Sequence, residues 1–163
     1  MITLLAGGLP VRLKEFHDLS FVENYGRVFS VSDEHTCGML TFGVVNPQGQ
    51  RLYLKYAGAP VINYPSDPVL AVRKLRLALP NYQNLRHPAL IRLISAQDSS
   101  SGCLAVFEWA EGLPLGPRPE GHGDFRSAPL LDRLRLFDMI CDFHARAEAA
   151  GLCIAGLSDA HMI

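Results

Sequence analysis

The chain has 163 residues, 48% hydrophobic and 19% charged, with a net charge of −1. That length suits one compact domain or two small lobes, and the apolar fraction suffices for a core, which excludes a disordered chain. The balance of 15 basic and 16 acidic residues excludes a main role in coating nucleic acid or an anionic membrane. No apolar run approaches the roughly 18 residues of a membrane span.

Residues 1 to 10 are apolar but carry no basic leader, and Gly7, Gly8 and Pro10 interrupt them. They read as no signal peptide, so a cytoplasmic location is expected. The four cysteines, Cys37, Cys103, Cys141 and Cys153, form no C-x-x-C pair and read as reduced thiols. Cys141 and His144 share a helical spacing, but two residues do not make a metal site, and none is expected.

Residues 11 to 25 place Val11, Leu13, Phe16 and Leu19 at a roughly helical spacing, which predicts a short helix or turn. From Arg27 the period changes. Val28, Phe29 and Val31, then Met39, Leu40, Phe42, Val44 and Val45, favour strands on either side of a polar tip at 32 to 38. Asn46-Pro47-Gln48-Gly49 is a turn, and residues 51 to 56 alternate as a third strand. The expectation is an antiparallel meander over 27 to 57.

A loop follows, then a helix at 68 to 86 with Asp67 as N-cap and Pro68 in its first position. Val69, Val72, Leu75, Leu79 and Tyr82 give it an apolar stripe, and Pro80 is expected to kink or break it. His87-Pro88 ends the helical region. Residues 90 to 94 read as a fourth strand, 98 to 102 as a turn and 103 to 109 as a fifth strand. Residues 110 to 128 hold four glycines and three prolines and read as a linker. A long amphipathic helix is expected at about 128 to 149, ending at Gly151. The fold class is α+β. The domain reading is an N-terminal extension at 1–25, a small lobe at 26–110, a linker at 111–127 and a further segment at 128–163.

The charge is uneven. Between Asp67 and Asp98 no acid occurs, while Arg73, Lys74, Arg76, Arg86 and Arg92 lie inside that window. The Arg73, Lys74 and Arg76 group reads as a solvated helix face whose stems lie along apolar surface, with a basic docking patch as the sharper alternative. The chain has only three lysines, Lys14, Lys55 and Lys74.

The order of three strands, helix, two strands, linker and long helix resembles the small lobe of a protein kinase and the first part of its large lobe. The pattern is similar to that of bacterial serine/threonine protein kinase-like proteins. The run RLYLKYA at 51 to 57 resembles the kinase strand whose lysine holds the α- and β-phosphates of ATP, and Lys55 stands at that position. The helix and the HPALIRL run resemble helix C and the strand after it. CLAVFEWAEGLPL resembles the fifth strand and hinge. The resemblance implies that Phe107 is a gatekeeper and that the backbones of Glu108 and Ala110 meet an adenine edge. It implies an ATP pocket, with magnesium, built from Lys55, Phe107, Glu108, Ala110 and Gly38. The helix at 128 to 149 resembles helix E.

The departures imply an inactive chain. The glycine-rich G-x-G-x-x-G run is absent; the tip reads SDEHTCG, and Asp33 and Glu34 there would repel phosphate. The helix-C glutamate falls at Ala78, and no acid between 68 and 97 rescues it. Laid on residues 154 to 161, the catalytic-loop motif puts Gly156 at the catalytic aspartate and His161 at the magnesium-binding asparagine, with Asp159 a weak substitute. The given chain stops at Ile163, before any D-F-G aspartate, which implies a truncated large lobe. The uncovered stripe Leu130, Leu134, Phe137, Ile140 and Cys141 is expected to meet a second copy or a partner chain, with no nucleic acid and no membrane involved. The alternative function is a non-nucleotide α+β interaction or regulatory module. An aminoglycoside-phosphotransferase type of small-molecule kinase shares the element order, but Gly156 counts against it equally.

Overall fold

The computed structural model describes residues 1–112 and 127–152. It forms two compact units: Met1–Asn84 with Ile91–Trp109, and Leu85–Leu90 with the segment from Ala110 onward.

The first unit is built on a five-stranded antiparallel sheet. Its strands are β3 (Arg27–Ser32), β4 (Met39–Val45), β5 (Arg51–Ala57), β6 (Leu93–Ser99) and β7 (Gly102–Glu108), in the order β3-β4-β5-β7-β6. Helix α1 (Pro68–Asn84) packs against β5, β6 and β7. The meander expected over 27 to 57 is present. Asp67 caps α1 as expected, its Oδ1 accepting from the Val69 amide at 2.8 Å. Pro80 lies inside α1, and the helix runs on through it to Asn84 rather than breaking there. The apolar stripe outweighs the lost hydrogen bond: Ala71 and Leu75 are buried, and Val72, Leu79 and Tyr82 pack against the core.

Two expectations need correcting. Residues 11 to 25 do not open on a helix. β1 (Ile2–Ala6) and β2 (Leu9–Leu13) form an antiparallel hairpin, followed by a 3-10 helix at Ser20–Tyr25. The turn is Gly7-Gly8, with φ of 57° and 84°, the left-handed conformation that a two-residue hairpin turn requires. The strand period then buries Val11 and Leu13 at i and i+2 and leaves Arg12 outward. The fourth strand of the sheet also shifts. It covers 93 to 99 rather than 90 to 94, because pairing with β7 draws the polar residues Gln97, Asp98 and Ser99 into the ladder. The turn beyond it is correspondingly tight, since Ser99 pairs with Gly102.

Alternation along the strands sorts side chains into two layers. Leu54 and Tyr56 of β5 join Leu40, Phe42 and Val44 of β4 and Leu104 and Val106 of β7 in one buried layer. The N-terminal segment covers it: Phe21 lies 4.7 Å from the Tyr56 ring, and Leu13 bridges to Val61. The opposite layer carries Tyr53, Lys55, Thr41, Ala105 and Phe107 and faces α1, where Tyr82 meets the Phe107 ring edge-on at 5.0 Å.

Tyr56 ties the first layer together. Its hydroxyl donates to the Ser101 carbonyl at 2.8 Å and pairs with His17 Nε2 at 2.7 Å. Because that hydroxyl donates to Ser101, the His17 nitrogen supplies the proton of the second bond. Burial pushes the Tyr56 phenol up and the His17 imidazole down.

In the second unit, α2 (Leu130–Ala149) ends at Gly151, whose φ is 73°. The Gly151 amide donates to Glu148 and the Leu152 amide to Ala147, both at 2.8 Å, a Schellman closure. Phe143 and Ala147 pack with Leu85, Leu90 and Leu152. His87 anchors the 85–90 loop in this unit. Its Nδ1 accepts from the Ala89 amide at 3.0 Å, so Nε2 carries the proton toward Asp142 at 3.0 Å. Arg146 and then His87 hold the Asp142 carboxyl below its usual range.

Tyr56→Phe is expected to destabilise the first unit by about 0.5–1.5 kcal/mol per bond lost, because it removes the bonds of the buried Tyr56 hydroxyl to the Ser101 carbonyl and to His17; urea unfolding measures it. His17 titrates below its ordinary 6.5 in the folded chain. The unfolded state therefore binds the proton first, and His17's contribution is complete above pH 6.5 and lost as pH falls below it. His17→Gln should flatten that limb of the melting-temperature profile.

Candidate functional site

Of the residues assigned to a nucleotide pocket, Lys55 and Phe107 lie on the face of β5 and β7 that meets α1. Lys55 stands mid-β5, paired in register with Thr41 on one side and Ala105 on the other. It is half-buried, and no hydrogen bond or ion pair holds its ammonium among the described residues. Helix α1 offers no acid, and Ala78 stands at the position where the resemblance calls for a glutamate.

Phe107 lies two residues along β7 from Ala105 and is 1% exposed, a core residue. Glu108 turns outward and pairs with Arg92, which lowers its pKa, while its amide donates to the Arg92 carbonyl at 2.9 Å. That amide is therefore engaged in the sheet. Ala110 belongs to the second unit. Gly38 has φ of 79°, and the Tyr64 ring lies so close over it that a Cβ there would stand 2.5 Å from the ring. Gly156, Asp159 and His161 lie outside the described residues.

The acids at the hairpin tip have partners that the sequence did not advertise. Arg12 of β2 donates from Nε to Asp33 Oδ2 at 3.0 Å, from Nη2 to Asp33 Oδ1 at 2.8 Å and to Glu34 Oε1 at 2.6 Å. The Arg12 amide adds a bond to Asp33 at 2.6 Å. Asp33 is accordingly 8% exposed and its carboxyl is held below the usual range, with the Arg12 side chain as the main cause. The two acids neutralise a guanidinium rather than facing an open phosphate site.

The basic window is partly compensated as well. Arg76 pairs with Asp98 at 2.8 Å, and the Lys74 ammonium stands 5.6 Å over the Tyr64 ring. Beneath α1, Cys103 is buried beside Asp98, and its thiol is pushed up to about 11, chiefly by burial. Among the described residues no three histidine, cysteine or acidic side chains converge as a metal site, and no helix is long and apolar enough to cross a membrane.

Aromatic side chains crowd the same face, a feature not singled out from the sequence. Tyr53 and Phe107 are register partners with ring centroids 6.1 Å apart. A bulge between Val28 and Ser30 turns Phe29 onto this face, where its ring sits over Gly43 and meets Trp109 edge-on at 5.0 Å. The signal in sequence was slight: Tyr53 stands two residues before Lys55, which in a strand means the same face.

Compared with known proteins, the chain matches no family model and no curated sequence.

Two variants test this description. Lys55→Met should change unfolding free energy by no more than about 0.5 kcal/mol, the range for substitutions that break no partnered contact. Arg12→Ala should lower the melting temperature near neutral pH, with the deficit shrinking as pH falls below 3.8. There Asp33, ionised longer in the folded chain than its ordinary 3.8, finally protonates.

Proposed function

We propose that this chain is the small lobe and first large-lobe helix of a serine/threonine protein kinase-like protein, and that it acts without catalysing phosphoryl transfer. One observation carries the reading. A five-stranded antiparallel sheet in the order β3-β4-β5-β7-β6 has its one long helix inserted between β5 and β6, and a solitary lysine mid-β5 faces that helix. The loop containing His87-Pro88 grouping with α2 in the second unit is consistent with it.

The missing chemistry supports an inactive role. Phosphoryl transfer depends on positioning and on charge stabilisation by a lysine, metal ions and the carboxylates that hold them. Lys55 is present, but α1 carries no acid to orient it, and the tip acids Asp33 and Glu34 are committed to Arg12. What remains is a vestigial ATP site with no catalytic constellation around it, and magnesium would find no ligand set among the described residues.

A second reading, a non-nucleotide interaction module, has its own support. Leu130, Leu131, Leu134 and Phe137 on α2 are 53–64% exposed, the kind of apolar row that a second copy or a partner chain covers. Ile140 is half-buried and Cys141 exposed on the same helix.

The expected result is no transfer of labelled phosphate from ATP and magnesium to a generic protein substrate. Transfer that disappears in Lys55→Met would overturn the non-catalytic reading. Light scattering at low micromolar concentration tests the second reading: a dimer that Phe137→Glu dissociates supports it, and a monomer sinks the self-association form of it.

A further inference from the structure

On the kinase-like reading, a base would lie against the α1-facing side of β5 and β7, between Lys55 and the Glu108 backbone. The protein's own rings already stand there. Tyr53 projects from β5 on the Lys55 side and contacts Phe107, which is itself fully buried. Tyr53 stands two residues before Lys55 on the same face of β5, with Phe107 at the gatekeeper position as its register partner. Phe29 fills the neighbouring space over Gly43 and carries Trp109 on its edge. Tyr82 closes the far side of Phe107 from α1.

Contact decides the matter. Tyr53 and Phe107 stand side by side on neighbouring strands, with centroids 6.1 Å apart and rings tilted by 48°, so the Tyr53 ring itself takes up the face of β5 two residues from Lys55. At the other end of the face, the Tyr64 ring lies over Gly38, where a phosphate loop would have to bring its backbone close.

We infer that Tyr53 is a built-in occupant of the base site, so that the chain takes up no adenine nucleotide as it stands, and that removing this one ring opens a purine-sized slot beside Lys55. The inference rests on the kinase-like reading, because that reading says where the base would lie. The aromatic set serves a structural purpose: it cross-braces β3, β5, β7 and α1 across a face that would otherwise hold a cleft.

The experiment uses the chain's single tryptophan, Trp109, as a reporter within the ring cluster. The full chain and Tyr53→Ala are titrated with ATP, with ATP plus magnesium, and with adenosine, following Trp109 emission and melting temperature. The unmodified chain should show no saturable change up to millimolar ligand. Tyr53→Ala should respond saturably to both ATP and adenosine, and adding Lys55→Met should weaken ATP binding at least several-fold while sparing adenosine. A saturable response in the unmodified chain overturns the occlusion and leaves the kinase-like reading standing. Silence in both proteins overturns the assignment of Tyr53 as occupant and removes the nucleotide site from the kinase-like reading too. If Tyr53→Ala does not fold, Tyr53→Val keeps a strand-compatible side chain at the position and opens most of the same space. The titration of the unmodified chain retains its power to overturn the inference in either case.

Discussion

The structure depends on β5 being covered on both faces. It lies third in a five-stranded order, so it has a ladder partner on each edge, β4 and β7. Its alternate residues are then committed to two different layers. Leu54 and Tyr56 go to the layer closed by the N-terminal segment, and Tyr53 and Lys55 go to the layer closed by α1. A one-residue slip would exchange the two sets and bury the ammonium in the layer that now holds Leu54. The cost of placing an unpaired charge there fixes the register as firmly as the gain from burying the leucine.

The two covers work by different means. On the N-terminal side the cover is held by polar bonds at its edge: His17 on Tyr56, Tyr56 on Ser101, and Arg12 on Asp33 and Glu34. Among these groups the Tyr56 side chain and Asp33 are buried, and each has its hydrogen-bond partners, which is the condition for burying them at all. On the α1 side the cover is aromatic. Tyr82, Phe107, Tyr53, Phe29 and Trp109 meet in edge-on or tilted pairs, the arrangements that ring quadrupoles favour. Among the described residues, Lys55 therefore shares its face of the sheet with large rings, Tyr53 on its own strand and Phe107 on the next.

Charge has been redistributed to match. Four acids of the first unit are each engaged with an arginine: Asp33 and Glu34 with Arg12, Asp98 with Arg76, Glu108 with Arg92. Exposed pairs of this kind add little stability individually. Their effect is on the field, since each pair neutralises a carboxylate against a guanidinium. In the second unit the same economy appears at His87, whose two ring nitrogens are both used, one to fix its own loop and one to reach α2.

The sequence by itself determined the strand meander at 27 to 57, the capped helix after Asp67, the long helix ending at Gly151 and the absence of any acid on α1. These follow from local chemistry: alternation, a capping carboxylate, a left-handed glycine and plain residue identity. It misread residues 11 to 25, where the spacing of Val11, Leu13 and Phe16 suits a helix as well as a strand and only the Gly7-Gly8 turn and the pairing with β1 settle the choice. It placed β6 three residues early because polar residues such as Gln97 and Asp98 become strand only when β7 lies beside them. Lys55 was legible as a candidate from its strand position. That Arg12 would claim Asp33 and Glu34, or that a bulge would swing Phe29 over Gly43 toward Trp109, was not. Those partners are separated by many residues in the chain, and sequence spacing carries no information about contacts that only closure of the two layers brings within reach.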